Sequence, residues 1–243
     1  MRGRSALLFG VAALLAACGS GDPSASATEP PASSAAPSVQ PAASEPVASG
    51  GACTPPDLCG EALTPGQYSA TTGTVTMTFT VGDGWRGNEY EELGFDLIRA
   101  GAGVPQIMSA APYGGVVYGD VCSGAETQEI GATAADFVAF LAQRPGIAAR
   151  GPATEVTIGG RTGMQIDVDA ADPGCVSDPP ERLWLWDLAG QTDFHLNIGE
   201  AARITALDGE TGVIVFVVET FDPPTFDALL EMTQPVLDSM TFS

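Results

Sequence analysis

Val213-Ile-Val-Phe-Val-Val218 is a run of six β-branched or aromatic residues. A strand apolar at every position has both faces buried, so the segment Val213 to Phe221 is expected to be central in a sheet and covered on both sides. Asp222 and Pro223 follow, an N-cap residue and a residue suited to a first helical turn. Beyond them Phe226, Leu229, Leu230, Thr233, Leu237 and Met240 fall on one helical face. Pro235 lies inside that pattern and is expected to kink or split the helix near Glu231, because it lacks the N–H for the ladder.

Working back from this end, the chain reads mostly as strands. Thr74-Val-Thr-Met-Thr-Phe-Thr-Val81 alternates Thr with larger apolar residues, the period of a strand with one buried face. Phe95 to Ala100 and Val104 to Ala110 continue the series, as do Arg182 to Leu188, Asp193 to Ile198 and Ala202 to Ala206. Glu155 to Ile158 and Met164 to Val168 flank Gly159-Gly160, which reads as a hairpin turn. One helix interrupts the strands. Thr133-Ala-Ala-Asp136 has capping-box spacing, Phe137, Val138, Phe140 and Leu141 form an apolar face, and Pro145-Gly146 ends it. Many strands with one helix midway and one near the end predict an α+β fold, a mainly antiparallel sheet with helices packed on it. There is no internal repeat.

The charge narrows the partners. Nine Lys+Arg, all of them arginine, face 30 Asp+Glu, for a net charge of -21. Such a chain repels phosphates, which argues against nucleic acid and against anionic lipid headgroups as ligands. The 44% hydrophobic content is enough for a core.

The first residues carry an address. Arg2 and Arg4 precede a short apolar run from Ala6 to Leu15, the shape of a secretory signal and too short to span a membrane. The run ends in Leu15-Ala16-Ala17-Cys18, which resembles the bacterial lipobox. That resemblance implies cleavage after residue 17, diacylglycerol on the Cys18 thiol, and an extracytoplasmic protein anchored to the cell membrane through its lipidated N-terminal Cys. Acyl chains anchor by about 0.8 kcal/mol for each buried methylene. Residues 19–52 contain 9 Ala, 8 Ser, 6 Pro and 4 Gly. A segment with so little apolar surface cannot offset its ordering entropy and is expected to be a disordered tether. Residues 53–243 are then a single extracytoplasmic domain, with 27 acidic residues against 7 arginines.

The order of elements in this domain resembles the PsbP/LpqN-like extracytoplasmic proteins. Thr78-Phe-Thr-Val-Gly-Asp-Gly-Trp85 resembles their opening strand and turn, and Leu237-Asp-Ser-Met-Thr-Phe242 their C-terminal end. The signal and the inner cysteines are similar to exported lipoproteins of G+C-rich bacteria. The resemblance implies a single sheet with helices on its faces and no catalytic motif. The cysteines depart from the photosynthetic members, so their partner role is not carried over.

Candidate chemistry is sparse. Four cysteines besides Cys18, namely Cys53, Cys59, Cys122 and Cys175, suit disulfides in an exported domain and permit three pairings. Without C-x-x-C, neither a redox dithiol nor a zinc ribbon is expected. Cys53 with Cys59 would close a local loop, leaving Cys122 with Cys175. His195, the single histidine, shares a strand face with Asp193 but meets no nucleophile elbow, and a structural role is expected. Asp167, Asp169 and Asp172 cluster at a strand end without EF-hand spacing, and Glu89, Glu91 and Glu92 form a second cluster. Both read as solvated acidic surface rather than metal sites. Leu183-Trp184-Leu185-Trp186 places two tryptophans on one face of a strand, either packed under a helix or loop or exposed as a binding surface.

The reading that results is a membrane-anchored, extracytoplasmic binding or accessory domain, without catalysis, cofactor or metal, whose partner is a protein or small molecule. The alternatives are an envelope hydrolase that uses acidic residues and a cation-dependent adhesive or structural module. A deep pocket with two close carboxylates would favour the hydrolase. An apolar groove around Trp184 and Trp186 would favour binding.

Overall fold

Alternating and continuous apolar segments become strands throughout the computed structural model, which describes residues 55–90, 93–125, 127–175, 182–188, 192–210 and 212–243. The expected signal, Cys18, the tether and Cys53 lie outside the described residues, as do Glu91 and Glu92. In chain order the first strands are β1 (Gly66–Thr72), β2 (Val75–Val81), β3 (Trp85–Tyr90), β4 (Gly94–Arg99), β5 (Gln106–Pro112), β6 (Val116–Tyr118) and β7 (Thr127–Glu129). Helix α1 (Ala134–Leu141) precedes β8 (Ile147–Ala149), β9 (Thr154–Ile158) and β10 (Arg161–Ala170). Then come β11 (Arg182–Leu188), β12 (Thr192–Asn197), β13 (Ala201–Asp208) and β14 (Val213–Thr220). A 3-10 turn over Pro223–Thr225 leads into α2 (Phe226–Asp238), followed by β15 (Thr241–Phe242).

The strands pair antiparallel into three sheets rather than the expected one. An eight-stranded sheet runs β3-β4-β5-β14-β13-β10-β8, with β9 also paired to β10. Strand β14 lies between β5 and β13, and all six residues of its apolar run are buried. Alternate residues of that run serve two cores. Ile214, Phe216 and Val218 join a cluster with Tyr68 of β1, Met77 and Phe79 of β2, and Leu229 and Leu237 of α2. Val213, Val215 and Val217 join a second cluster with Phe137 of α1, Leu183, Leu185 and Trp186 of β11, and Leu196 of β12. A sheet with two fully apolar faces needs a cover on each, and two helices are too few. A three-stranded sheet, β1-β2-β15, therefore contributes to one side and a four-stranded sheet, β12-β11-β6-β7, to the other.

Local signals explain most element ends. In α1 the Thr133 side chain accepts from the Asp136 N–H while the Asp136 carboxylate accepts from the Thr133 N–H, so both halves of the capping box form. Gly159 and Gly160 both have positive φ, 55° and 83°, as a tight hairpin between β9 and β10 requires. Two expectations for the last helix are corrected. Asp222 makes no side-chain cap: it precedes the 3-10 turn, and α2 starts after Thr225. Pro235 does not split the helix, which is continuous from Phe226 to Asp238. Its buried face, Phe226, Leu229, Thr233, Val236 and Leu237, spans both sides of the proline, and that burial offsets one lost ladder bond. Among the described residues no helix is long and apolar enough to cross a membrane.

Candidate functional site

The tryptophan motif does not form one surface. In β11 Trp184 pairs with His195 of β12, and Trp186 pairs with the adjacent Phe194, so Leu185 is an extra residue bulged into the strand. Neighbouring residues of β12 face opposite ways, and the tryptophans follow them. The Trp184 ring lies 5.3 Å from the His195 ring, while the Trp186 ring stacks on Phe194 at 4.0 Å. Trp184 is half-buried over the loop at Gly124, where a Cβ would come within 3.3 Å of its indole. Trp186 is 1% exposed and meets Phe137 of α1 edge-on at 5.1 Å. The two tryptophans, expected on one face of the strand, instead lie on opposite faces, one a core anchor and the other an outer ring.

Trp186 and Phe194 instead form part of the wall of a cleft of about 470 Å³ between the central and four-stranded sheets. Its opposite wall comes from β4, β5 and β14. Register aligns Asp96, Ser109 and Val217 in a row across these three strands, with Glu219 and Ile107 forming the next row. Val215 and Val217 continue the floor, while Tyr90 at the end of β3 and Leu93 just before β4 bound the cleft. Gly94 lets the start of β4 lie against β5: its φ is 119°, and a Cβ there would lie 1.7 Å from the Ala110 carbonyl oxygen. The walls are predominantly aliphatic and aromatic, and no basic side chain lines them.

Two carboxyl groups in this lining are held above their usual range. Burial pushes Glu219 up to about 8, reinforced by the negative charges of Glu200 and Asp96. Its Oε2 atom is buried without a hydrogen-bond partner. Asp96 is raised chiefly by burial, although the Tyr90 hydroxyl donates to it at 2.7 Å and favours the ionised form. Tyr90 is itself pushed up to about 12, by burial first and then by Asp96. Asp193, at the edge of the lining, is exposed and shares the outer face of β12 with His195, where its carboxylate accepts from the Tyr118 hydroxyl. Trp186 Nε1 is a further buried atom without a partner.

The other sequence candidates fall elsewhere. His195 lies below its usual range, first through burial and then through the charge of Arg182, while the Asp193 carboxylate beside it is engaged by Tyr118. Asp167 and Asp169 lie in the last residues of β10. Arg203 donates twice to Asp167, at 2.7 and 2.8 Å, and Arg150 pairs with Asp169 at 2.6 Å. Asp172 accepts from the Gly174 N–H. Glu89 accepts from the Thr71 N–H. Among the described residues no three His, Cys, Asp or Glu side chains are placed to hold a metal ion. Cys122 and Cys175 are joined, with Cα atoms 5.3 Å apart. Cys59 is disulfide-bonded, and Cys53, its expected partner, lies outside the described residues.

No protein-family model matches the chain, and no curated protein does. Among solved structures it is similar to LpqN, a protein involved in cell envelope biogenesis of Mycobacterium tuberculosis. That match has 14% identity and a TM-score of 0.42, over 73% of this chain and 91% of LpqN. It is also similar to cyanobacterial PsbP from Synechocystis, at 10% identity and a TM-score of 0.36, over 76% of this chain and 97% of that one.

Proposed function

We propose that the protein is an extracytoplasmic binding domain, anchored to the membrane through Cys18, that holds a small, largely apolar molecule between its central and four-stranded sheets. The observation that carries this reading is the cleft walled by Trp186, Phe194, Val215 and Val217. Its volume of about 470 Å³ falls within the range typical of small-molecule sites, and a mainly apolar lining with a few polar groups suits retention of a ligand. The lipobox at residues 15–18 supports anchoring, and the Ala, Ser and Pro composition of residues 19–52 supports a spacer between the anchor and the domain.

The test is uptake of an apolar dye. Nile red should brighten on binding the protein at one site, and Ser109→Phe, which fills the cleft, should abolish the signal while the thermal midpoint stays close to that of the parent. Equal dye uptake by the filled variant would refute the cleft as the binding site.

A second reading, an acid-dependent hydrolase, draws on the presence of Asp96 and Glu219 in one cleft. A carboxyl held protonated near neutral pH can act as a general acid. The apolar walls provide little to orient a polar substrate, which favours binding over turnover. Hydrolysis of an envelope polymer by the protein, lost in Glu219→Gln, would reverse that preference.

A further inference from the structure

Resting on the reading of the cleft as a binding site, we propose that its ligand is an organic cation, an ammonium group carried on an apolar or aromatic body. Two carboxyl groups line the cleft, Asp96 from β4 and Glu219 from β14, and no arginine lies among the lining residues. Three aromatic rings stand in the same walls: Tyr90, 45% exposed, and the stacked pair Trp186 and Phe194. Ring faces attract a cation through their quadrupole, and the attraction strengthens where water is excluded. The rest of the lining is aliphatic and offers a surface for the ligand's body. An anion would face carboxyl groups on two strands without a countercharge, and the net charge of -21 would oppose its approach.

Glu219 is the group that most needs a cation. Its Oε2 is sealed from solvent and unpartnered although the residue as a whole is half-buried, so the ionised form is poorly compensated and a positive charge in the cleft would favour it. The titratable groups facing it are Asp96, with Tyr90 bonded to it, and Glu200. All are acidic or phenolic. Cation binding must therefore displace the Glu219 proton, and affinity rises with pH until that group ionises on its own, near 8. A neutral ligand that accepts a hydrogen bond from protonated Glu219 or from Trp186 Nε1 would show no such rise.

The experiment measures binding of three probes to the full-length protein by calorimetry and tryptophan fluorescence: benzyltrimethylammonium, neutral benzyl tert-butyl ether and anionic phenylmethanesulfonate. Benzyltrimethylammonium should bind one to one, with affinity rising up to about tenfold per pH unit below 8. The sulfonate should not bind. Glu219→Gln should weaken the cation about tenfold and flatten its pH profile, while its thermal midpoint at pH 8 stays at or above the parent value. Because that variant keeps the side-chain shape and removes a poorly compensated acid, loss of fold does not confound it. Binding of the ether as tight as or tighter than that of the cation overturns the inference, as does a cation affinity unchanged in Glu219→Gln. In both cases uptake of Nile red blocked by Ser109→Phe still upholds the apolar site. Failure of every probe together with Nile red removes both readings.

Discussion

Trp184 and Trp186 stand two residues apart on β11 yet face opposite sides of their sheet, because the pairing shifts by one residue at Leu185. The outward ring packs against His195 and the inward ring against Phe194 and Phe137. Their truncations should therefore separate. Trp186→Ala removes a ring that is 1% exposed and should cost about 3–5 kcal/mol. Trp184→Ala removes a half-buried ring and should cost about 1 kcal/mol. Denaturant midpoints of the two variants provide the comparison, and equal losses would contradict the bulge.

The Cys122–Cys175 bridge closes 53 residues of chain. In the loop-entropy account such a closure stabilises by about 4 kcal/mol. Cys122→Ser with Cys175→Ser should lower stability by that order, and non-reducing peptide mapping of the parent should recover Cys122 linked to Cys175. The same map should place Cys53 with Cys59. A linkage from Cys59 to any other cysteine would break that assignment.

At Cys18 the expected chemistry is thioether formation with diacylglycerol. Cys18→Ser removes the acceptor thiol, so fatty-acid labelling should vanish and the protein should leave the membrane fraction. Labelling that persists in the variant would exclude Cys18 as the lipidated residue.

The frame of the fold was legible where burial imposes a period on the chain. Val213 to Val218 announced a strand covered on both faces, and β2 shows Met77, Phe79 and Val81 buried between less buried threonines, as its alternation requires. Strand β1 escaped notice although Tyr68, Ala70 and Thr72 alternate in the same way, because Gly66, Gln67 and Ser69 dilute its apolar content. The three-sheet arrangement was not legible, since pairing partners are chosen in space: β14 pairs with β5, about a hundred residues earlier in the chain. The bulge at Leu185 left no mark in a regular Leu-Trp-Leu-Trp alternation. The cleft has one mark in the sequence. Glu219 extends the series Val213, Val215, Val217 on the face of β14 that builds a core, and a carboxylate at the end of an apolar face marks either an edge or a site.

That carboxyl also sets a pH dependence of the fold. Glu219 is pushed from an ordinary 4.5 up to about 8 in the native state, first by burial and then by Glu200 and Asp96. Between these values the folded protein retains a proton that the unfolded chain has released. Stability therefore falls as pH rises through this window and levels off above about 8, where both states are ionised. Glu200, raised mainly by burial, and Asp96 act in the same direction. Asp120 opposes them: bonds from Ser123 and from the Cys122 N–H hold it low, so its contribution is already in place above the ordinary carboxylate value and is lost only in stronger acid. The expected profile declines from about pH 5 to pH 8 by a few kcal/mol. Glu219→Gln keeps the side-chain shape without the ionisation and should flatten that slope, leaving the variant more stable than the parent at pH 8. Urea midpoints at half-unit pH steps measure this directly. A parent profile that rises from pH 5 to pH 8, or a slope unchanged in Glu219→Gln, would mean that Glu219 is ionised in the folded protein without a steep cost, which would remove the reason for a cation in the cleft.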